Sequence, residues 1–221
     1  MKNHLKVFAI LFFVTSSFFN VSAQTADQAA DAAVDKKALE YVTGLNLNDA
    51  AKNARVSKVV STHMKAVRDW HNNHPFTTVP EGINPVTGNK LTELDRQIIA
   101  DSAIPSTVHQ NLMEGLSKDL TPTQVELILD RYTVGKVDFT LKGYRAIVPN
   151  ITPVEEAKLL GFLKEAREQA VDYKSMKQIS AIFEIYKTKS EQYLNANGRN
   201  WRDMYNAFTK KLKDEKAKKQ K

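Results

Sequence analysis

The densest set of side chains that could bind a ligand lies in one short segment, residues 68–76. Its candidate contact residues are Arg68, Asp69, Trp70, His71, His74 and Phe76. A flat aromatic ring stacks on the apolar face of a sugar, while neighbouring polar groups pair with the hydroxyls. The composition therefore predicts a carbohydrate or other small-ligand site. The competing interpretation is a surface loop that is fixed because Trp70 packs into the core.

The spacing of two histidines in the same segment could suit the coordination of a metal ion. His71 and His74 are three residues apart, which places two imidazoles on one face if the helix extends that far, and Asp69 could orient one of them. Pro75 instead indicates that the helix ends first. No partner motif supplies further ligands, and no phosphate-binding loop or other cofactor motif is present. We therefore predict neither a metal nor a cofactor.

A second group of chemical interest is a set of carboxylates. Glu165 and Glu168 share one helix face and could share a cleft with Asp172. Glycoside hydrolysis needs two carboxylates on opposite sides of the bond, usually from different elements. Neighbours on one helix rarely achieve this, so a solvated face with ion pairs to Lys164 and Arg167 is the simpler interpretation. Whether the chain is an enzyme stays open.

Two aromatic-basic pairs, Tyr144 with Arg145 and Tyr186 with Lys187, are candidates for a polar aromatic patch. The pairs are about forty residues apart, so only the fold determines whether they meet. The sequence alone does not bring them together.

Helices are predicted to position all of these residues. Apolar side chains recur at three- and four-residue steps in long stretches, which is typical of amphipathic helices. Examples are Val56, Val60 and Val67; Val125, Ile128, Leu129 and Tyr132; and Ile179, Phe183 and Leu194. No comparable run alternates with period two. We predict an all-α single helical domain of seven or eight helices, with one long irregular loop at residues 74–90.

Three predicted helix starts share one capping pattern, a threonine followed three residues later by a side chain that can bond back to it. The pairs are Thr121 with Gln124, Thr152 with Glu155 and, in weaker form, Thr92 with Asp95. The Leu-Thr-Pro-Thr-Gln string at residues 120–124 resembles the motif of the exported Spy and CpxP stress chaperones. Helix capping explains the string equally well.

The N-terminus has the layout of a secretory signal peptide. Lys2 and Lys6 precede an apolar run at residues 7–19, and residues 21–23 offer small side chains for cleavage. A run of roughly 13 apolar residues is short for a membrane-spanning helix, which needs about 18 or more. We predict a signal peptide at residues 1–23, no transmembrane segment after cleavage, and a periplasmic or extracellular protein.

The charge distribution and the cysteine content argue against nucleic-acid binding and against chemistry that needs a thiol. The formal net charge of +7 comes from Lys2, Lys6 and a lysine-rich tail at residues 210–221, which leaves the helical domain at residues 24–209 neutral. A neutral body argues against nucleic acid as a partner. The tail is interpreted as a solvated helix end. The absence of cysteine excludes disulfides and thiol catalysis. The sequence does not indicate the oligomeric state.

A broader pattern spans roughly residues 39 to 205 and consists of Thr140, Tyr144, Pro149, Glu165, Ala166, Arg167, Glu168, Ala170, Asp172, Phe183, Tyr186, Lys187, Tyr193, Leu194 and Gly198. This pattern resembles the exported bacterial DUF3826 family. Family members tend to have glycine after the Tyr-Lys pair, whereas this chain has Thr188. The resemblance implies a helical, signal-bearing protein found with polysaccharide-degradation systems of Bacteroidetes-type bacteria. It implies no established reaction.

The leading functional prediction is an exported, non-catalytic ligand-binding or accessory protein connected with extracellular polysaccharide use, with an oligosaccharide as ligand. One alternative is a carbohydrate-active enzyme of undescribed type, which predicts two carboxylates converging across a cleft. The other is a Spy-like periplasmic chaperone, which predicts an exposed apolar concave face and a dimer.

Overall fold

The computed structural model describes residues 27–85 and 87–219 and is all-α. Within these ranges there are nine α-helices: α1 (27–43), α2 (Ala50–Asn73), α3 (Glu93–Ser102), α4 (Ser106–Asp119), α5 (Pro122–Tyr132), α6 (Lys136–Ile147), α7 (Pro153–Ala170), α8 (Met176–Ala196) and α9 (Trp201–Lys219). Apart from one isolated antiparallel bridge between Ile83 and Lys90, the described chain contains no β-structure. The predicted fold class is confirmed, with more helices than the seven or eight expected. The predicted signal peptide lies outside the described residues.

The chain divides into two compact units inside helix α2, between Lys65 and Ala66. In the first unit, α1 and the beginning of α2 are joined by polar contacts. Asp35 accepts hydrogen bonds from the Ser61 hydroxyl and, at 3.0 Å, from the Lys65 ammonium. His63 is buried, 3% exposed, within the apolar stripe of α2.

The core of the second unit is formed mainly by α6, α7 and α8. Buried members include Val137, Leu141, Tyr144, Leu159, Leu163, Ile179, Ile182, Phe183 and Leu194. The apolar stripe predicted for α5 is buried throughout. Full burial of a leucine or phenylalanine side chain contributes about 1.5–3 kcal/mol. These three helices therefore supply the apolar core against which Trp201 and Met204 of α9 pack.

Capping fixes where several helices begin. Complete capping boxes are present at all three predicted positions, Thr92, Thr121 and Thr152. A fourth, between Ser175 and Gln178, starts α8. Each box satisfies two backbone N–H groups that the first helical turn would otherwise leave unpaired.

The turn between α8 and α9 has a Schellman geometry. Gly198 adopts a φ of 81°, a conformation that favours glycine, and the Arg199 N–H donates to the Leu194 carbonyl at 3.1 Å. The Arg199 guanidinium then donates to the Glu155 carboxylate at 2.8 and 2.9 Å. This anchor fixes the direction in which α9 starts at Trp201.

Helix α9 continues as far as Lys219, so the predicted basic tail is helical and exposed where it is described. Among the described helices, none combines the length and apolar character needed to cross a membrane.

Candidate functional site

The predicted segment at residues 68–76 includes the end of α2 and the start of a short 3₁₀ turn, Phe76–Thr78. The Trp70 indole N–H donates to the Ala100 carbonyl at 3.1 Å. The His74 ring stacks on Trp70 with centroids 3.7 Å apart, and its Nδ1–H donates to the Trp70 carbonyl at 2.8 Å. One face of the tryptophan ring is thus already covered by a histidine of the same chain.

His71 is held by a buried carboxylate from another helix. Asp101 on α3 is 3% exposed and accepts hydrogen bonds from His71 Nδ1 at 2.7 Å, from Gln97 at 3.0 Å and from Gln178. The expectation that Asp69 orients an imidazole is wrong. Asp69 instead accepts from the Arg68 guanidinium at 2.7 Å, because the two side chains are adjacent and both reach the surface.

Helix α3 also fixes the irregular loop that follows. Gln97 Oε1 accepts from the Phe76 backbone N–H at 2.8 Å. The Arg96 guanidinium lies 5.3 Å from the centre of the Phe76 ring and donates to the Val79 carbonyl. Four of the six predicted residues, Trp70, His71, His74 and Phe76, are therefore hydrogen-bonded to α3. That this segment binds a ligand stays a prediction.

A cavity with different character lies between α6, α8 and α9, and has a volume of about 630 Å³. We call it the aromatic groove. Its residues come from three helices: Phe139, Thr140, Lys142, Gly143, Tyr144 and Ile147 on α6, Lys187 and Glu191 on α8, and Trp201 and Tyr205 on α9. Apart from Lys142, they recur at steps of three or four residues along each helix, and residues at this spacing lie on one helix face. Three helix faces therefore converge on one space.

Aromatic rings form much of the groove wall. Trp201 lies between Tyr144 and Tyr205, with ring centroids 5.3 and 6.0 Å away. Tyr144 is buried, and its hydroxyl donates to the Lys187 carbonyl at 3.2 Å. Tyr205 and Phe139 are 47% and 79% exposed. Buried rings therefore fix the base of the groove, while exposed rings stay available to a ligand.

The polar groups of the groove are few. Burial raises the pKa of the Tyr144 hydroxyl, so this group stays protonated and acts as a hydrogen-bond donor. Burial also raises the pKa of the Glu191 carboxyl, although the nearby Lys187 opposes the effect. A mainly apolar pocket with a few placed polar groups is the usual form of a small-molecule site.

A second cavity, of about 440 Å³, is polar and lies where α4, α7 and α8 meet. We call it the His109 cleft. Its lining includes His109, Glu165, Glu168, Gln169, Asp172 and Tyr186. His109 Nδ1 donates to Asp172 at 2.9 Å, and Nε2 lies 3.6 Å from Glu168. The hydrogen bond with Asp172 raises the pKa of His109.

Only some of the residues that line these two cavities were singled out from the sequence. Of the four residues proposed for a polar aromatic patch, Tyr144 and Lys187 do meet, whereas Arg145 pairs with Glu156 and Tyr186 lies in the His109 cleft. Glu165 pairs with Lys189 on α8 at 2.8 Å. The predicted ion pairs with Lys164 and Arg167 are wrong, because both basic side chains reach α5 instead, where Lys164 pairs with Glu126 and the buried Arg167 pairs with Asp130. His109 was missed because nothing near it in sequence signals its partners. The four-residue spacing of Trp201 and Tyr205 was a usable signal.

Among the described residues, no group of three or more potential metal ligands is placed to hold a metal ion.

Comparison with known families gives a match that covers most of the chain. The model of a family described as "Protein of unknown function (DUF3826)" matches residues 31–214. A search of curated proteins finds no match to the chain. The resemblance to Spy and CpxP is not shown by these comparisons.

Proposed function

The chain belongs to the DUF3826 family, whose description names no activity, and we propose from its own geometry that it is an exported, non-catalytic carbohydrate-binding protein. The ligand would be an oligosaccharide held in the aromatic groove, and the protein would act as an accessory in extracellular polysaccharide use. Support for export comes from the layout of residues 1–23. Support for the polysaccharide context comes from the family resemblance.

The observation that carries this proposal is the combination of rings and polar groups in one cavity. Its volume of about 630 Å³ falls within the range of roughly 300–1,000 Å³ found for small-molecule sites. Tyr205 and Trp201 offer ring surface for the apolar face of a pyranose. Thr140, Lys187 and Glu191 provide groups that can pair with hydroxyls. The groove therefore offers both parts of a sugar-binding surface.

The same geometry favours binding over hydrolysis. Glycoside hydrolysis uses two carboxylates on opposite sides of the scissile bond. Within the described part of the chain, Glu191 is the one carboxylate among the groove-lining residues. A sugar in the groove would therefore contact one carboxylate, and the groove lining has no second carboxylate on the opposite side of the glycosidic bond.

The test is a calorimetric and thermal-shift screen of the purified protein against plant and bacterial oligosaccharides. A ligand that binds only the native state raises the melting temperature. We expect Tyr205→Ala to weaken binding about tenfold, which corresponds to about 1.4 kcal/mol of lost stacking. Leu212→Ala is the matched control, because Leu212 lies on the same helix and is 48% exposed, close to the 47% of Tyr205.

A third variant separates the groove from the predicted segment. Arg68→Ala removes the basic group of residues 68–76 without touching the groove. If Arg68→Ala abolishes binding and Tyr205→Ala leaves it unchanged, the ligand binds at residues 68–76 and not in the groove. The absence of any sugar-dependent shift would reject carbohydrate binding, and protection of an aggregating client protein would then favour the chaperone alternative.

The His109 cleft supports a second candidate function, acid–base catalysis on a carbohydrate. His109 lies on α4, whereas Glu168 at the end of α7 and Asp172 in the turn after it are four residues apart, so an imidazole from one helix meets two neighbouring carboxylates from another. An oriented imidazole beside a carboxylate is suited to proton transfer. Detection of sugar product that is lost in His109→Asn would favour this function over simple binding.

A further inference from the structure

The charged side chains of the aromatic groove differ in whether they already have an ion-pair partner. Lys142, Lys187 and Glu191 line it. The Lys142 ammonium lies 2.6 Å from Asp138, and the Lys187 ammonium lies 3.0 Å from both carboxylate oxygens of Glu184. Asp138 and Glu184 are not part of the groove lining. Both lysines are therefore paired with carboxylates next to the groove.

Glu191 is in the opposite situation. Its side chain is half-buried, and it forms no hydrogen bond or ion pair with any other described residue. It shares the groove with Lys187 on its own helix, with Lys142 and Tyr144 on α6, and with Tyr205 on α9. A carboxylate that is partly removed from water and has no partner is destabilised, and burial accordingly raises its pKa. A cationic ligand group would relieve this cost.

The aromatic rings of the groove also favour a cationic ligand group. The face of an aromatic ring carries negative charge density, which attracts a nearby cation. Trp201 and Tyr205 line the groove together with Glu191 and offer two such rings to a ligand. Uronic acid sugars, by contrast, would bring a carboxylate against both the rings and Glu191.

We propose that the aromatic groove selects sugars with a free, protonated amine, such as oligosaccharides of glucosamine, and that Glu191 is the residue that recognises the ammonium. This inference rests on the proposed carbohydrate-binding function and names its substrate class. Long-range attraction does not explain such a preference, since the chain carries a formal net charge of +7. The selectivity would be local to the groove.

The test is calorimetric titration of the purified protein with three oligosaccharides of equal length, built from glucosamine, N-acetylglucosamine and galacturonic acid. The titrations are made at about pH 6, where an aliphatic amine is protonated. We expect the glucosamine oligomer to bind at least about tenfold more tightly than its N-acetylated counterpart, the size expected for one charge-assisted hydrogen bond. We expect the galacturonate oligomer to bind most weakly.

Variants assign the preference to a residue. Glu191→Gln is expected to bring the affinities for the amine and N-acetyl oligomers to within about twofold of each other. Glu114→Gln is the matched control, because it makes the same change at an exposed position on α4 outside the groove, and it should keep the full preference. Because both variants change the net charge equally, a difference between them reports on the position of Glu191 in the groove.

The outcomes separate this inference from the proposed function. N-acetylated or neutral sugars that bind in a Tyr205-dependent way without an amine preference would overturn the inference and leave carbohydrate binding intact. A preference for galacturonate, or an amine preference that survives Glu191→Gln, would also overturn it. No binding of any of the three sugars, with none in the wider screen, would reject the proposed function itself.

Discussion

Glu155 is the carboxylate whose removal has the most clearly calculable effect. It is 7% exposed and accepts hydrogen bonds from the backbone N–H and hydroxyl of Thr152 at 2.8 and 2.9 Å. It also accepts two from the Arg199 guanidinium. The bonds from Arg199 are the largest cause, followed by those from Thr152, of a pKa lowered from 4.5 to about 2. Glu155→Gln keeps the size of the side chain and removes its charge.

The size of the effect follows from this pKa. The difference between the two values corresponds to at most about 3.4 kcal/mol, at about 1.36 kcal/mol per pKa unit. Because the Arg199 side chain is one quarter exposed, water screens the pair, and we expect a loss of about 2 kcal/mol in the free energy of unfolding at neutral pH. A lowered pKa stabilises the fold above pH 4.5, and this stabilisation disappears as the pH falls toward 2.

The assay is urea unfolding, followed by circular dichroism, of the wild type and Glu155→Gln between pH 7 and pH 2. The difference between them should be constant near neutrality and shrink in the acid range. Glu156→Gln is the control, because Glu156 is the next residue but pairs with Arg145 at the surface, and its loss should be smaller. A difference that does not depend on pH, or that equals the control, would refute the reasoning.

Three further predictions concern the core and the buried polar groups. Asp101→Ala leaves His71 and two glutamine amides without their acceptor and should cost about 3 kcal/mol or more in urea unfolding. Leu163→Ala, at a fully buried position, should cost about 2–5 kcal/mol, and a loss below about 1 kcal/mol would contradict the assigned packing. Because Asp172 raises the pKa of His109, this pair stabilises the fold fully below pH 6.5 and less as the pH rises through the raised value. The stability difference between the wild type and His109→Asn should therefore be larger at pH 6 than at pH 9; a constant difference would show that the pair does not titrate as described.

Local features of the fold were predictable from the sequence. Thr92, Thr121 and Thr152 start helices as their capping patterns indicated, because a capping box needs only residues three positions apart. The apolar stripe of α5 faces the core for a similar reason, since helical periodicity is local. Met176, in the first turn of α8, lies three residues before Ile179 and so continues the same apolar spacing, but it is 44% exposed.

The candidate sites depended on distant residues and were not predictable in the same way. Tyr144 and Trp201 form one wall although 57 positions separate them, and the contact exists because α9, which follows the turn at Gly198, packs against α6. His109 and Asp172 are likewise joined only by helix packing. Residues 68–76 attracted attention because their side chains are adjacent in sequence. Several of those side chains bind α3 instead, and a dense polar cluster does not reveal from sequence whether its groups are already paired.

The two candidate ligand sites rest on separate polar networks, which makes them separable by experiment. Glu155 and Arg199 hold the turn from which Trp201 enters the aromatic groove, whereas Asp101 and Gln97 hold the segment at residues 68–76. A variant of either network can therefore change the position of one site without touching a ligand. If sugar binds in the groove, Glu155→Gln should weaken it through Trp201 even where the protein remains fully folded, and Gln97→Ala should not. The reverse pattern would place the ligand on α3 and the loop it holds, and would reduce the groove to a feature of helix packing.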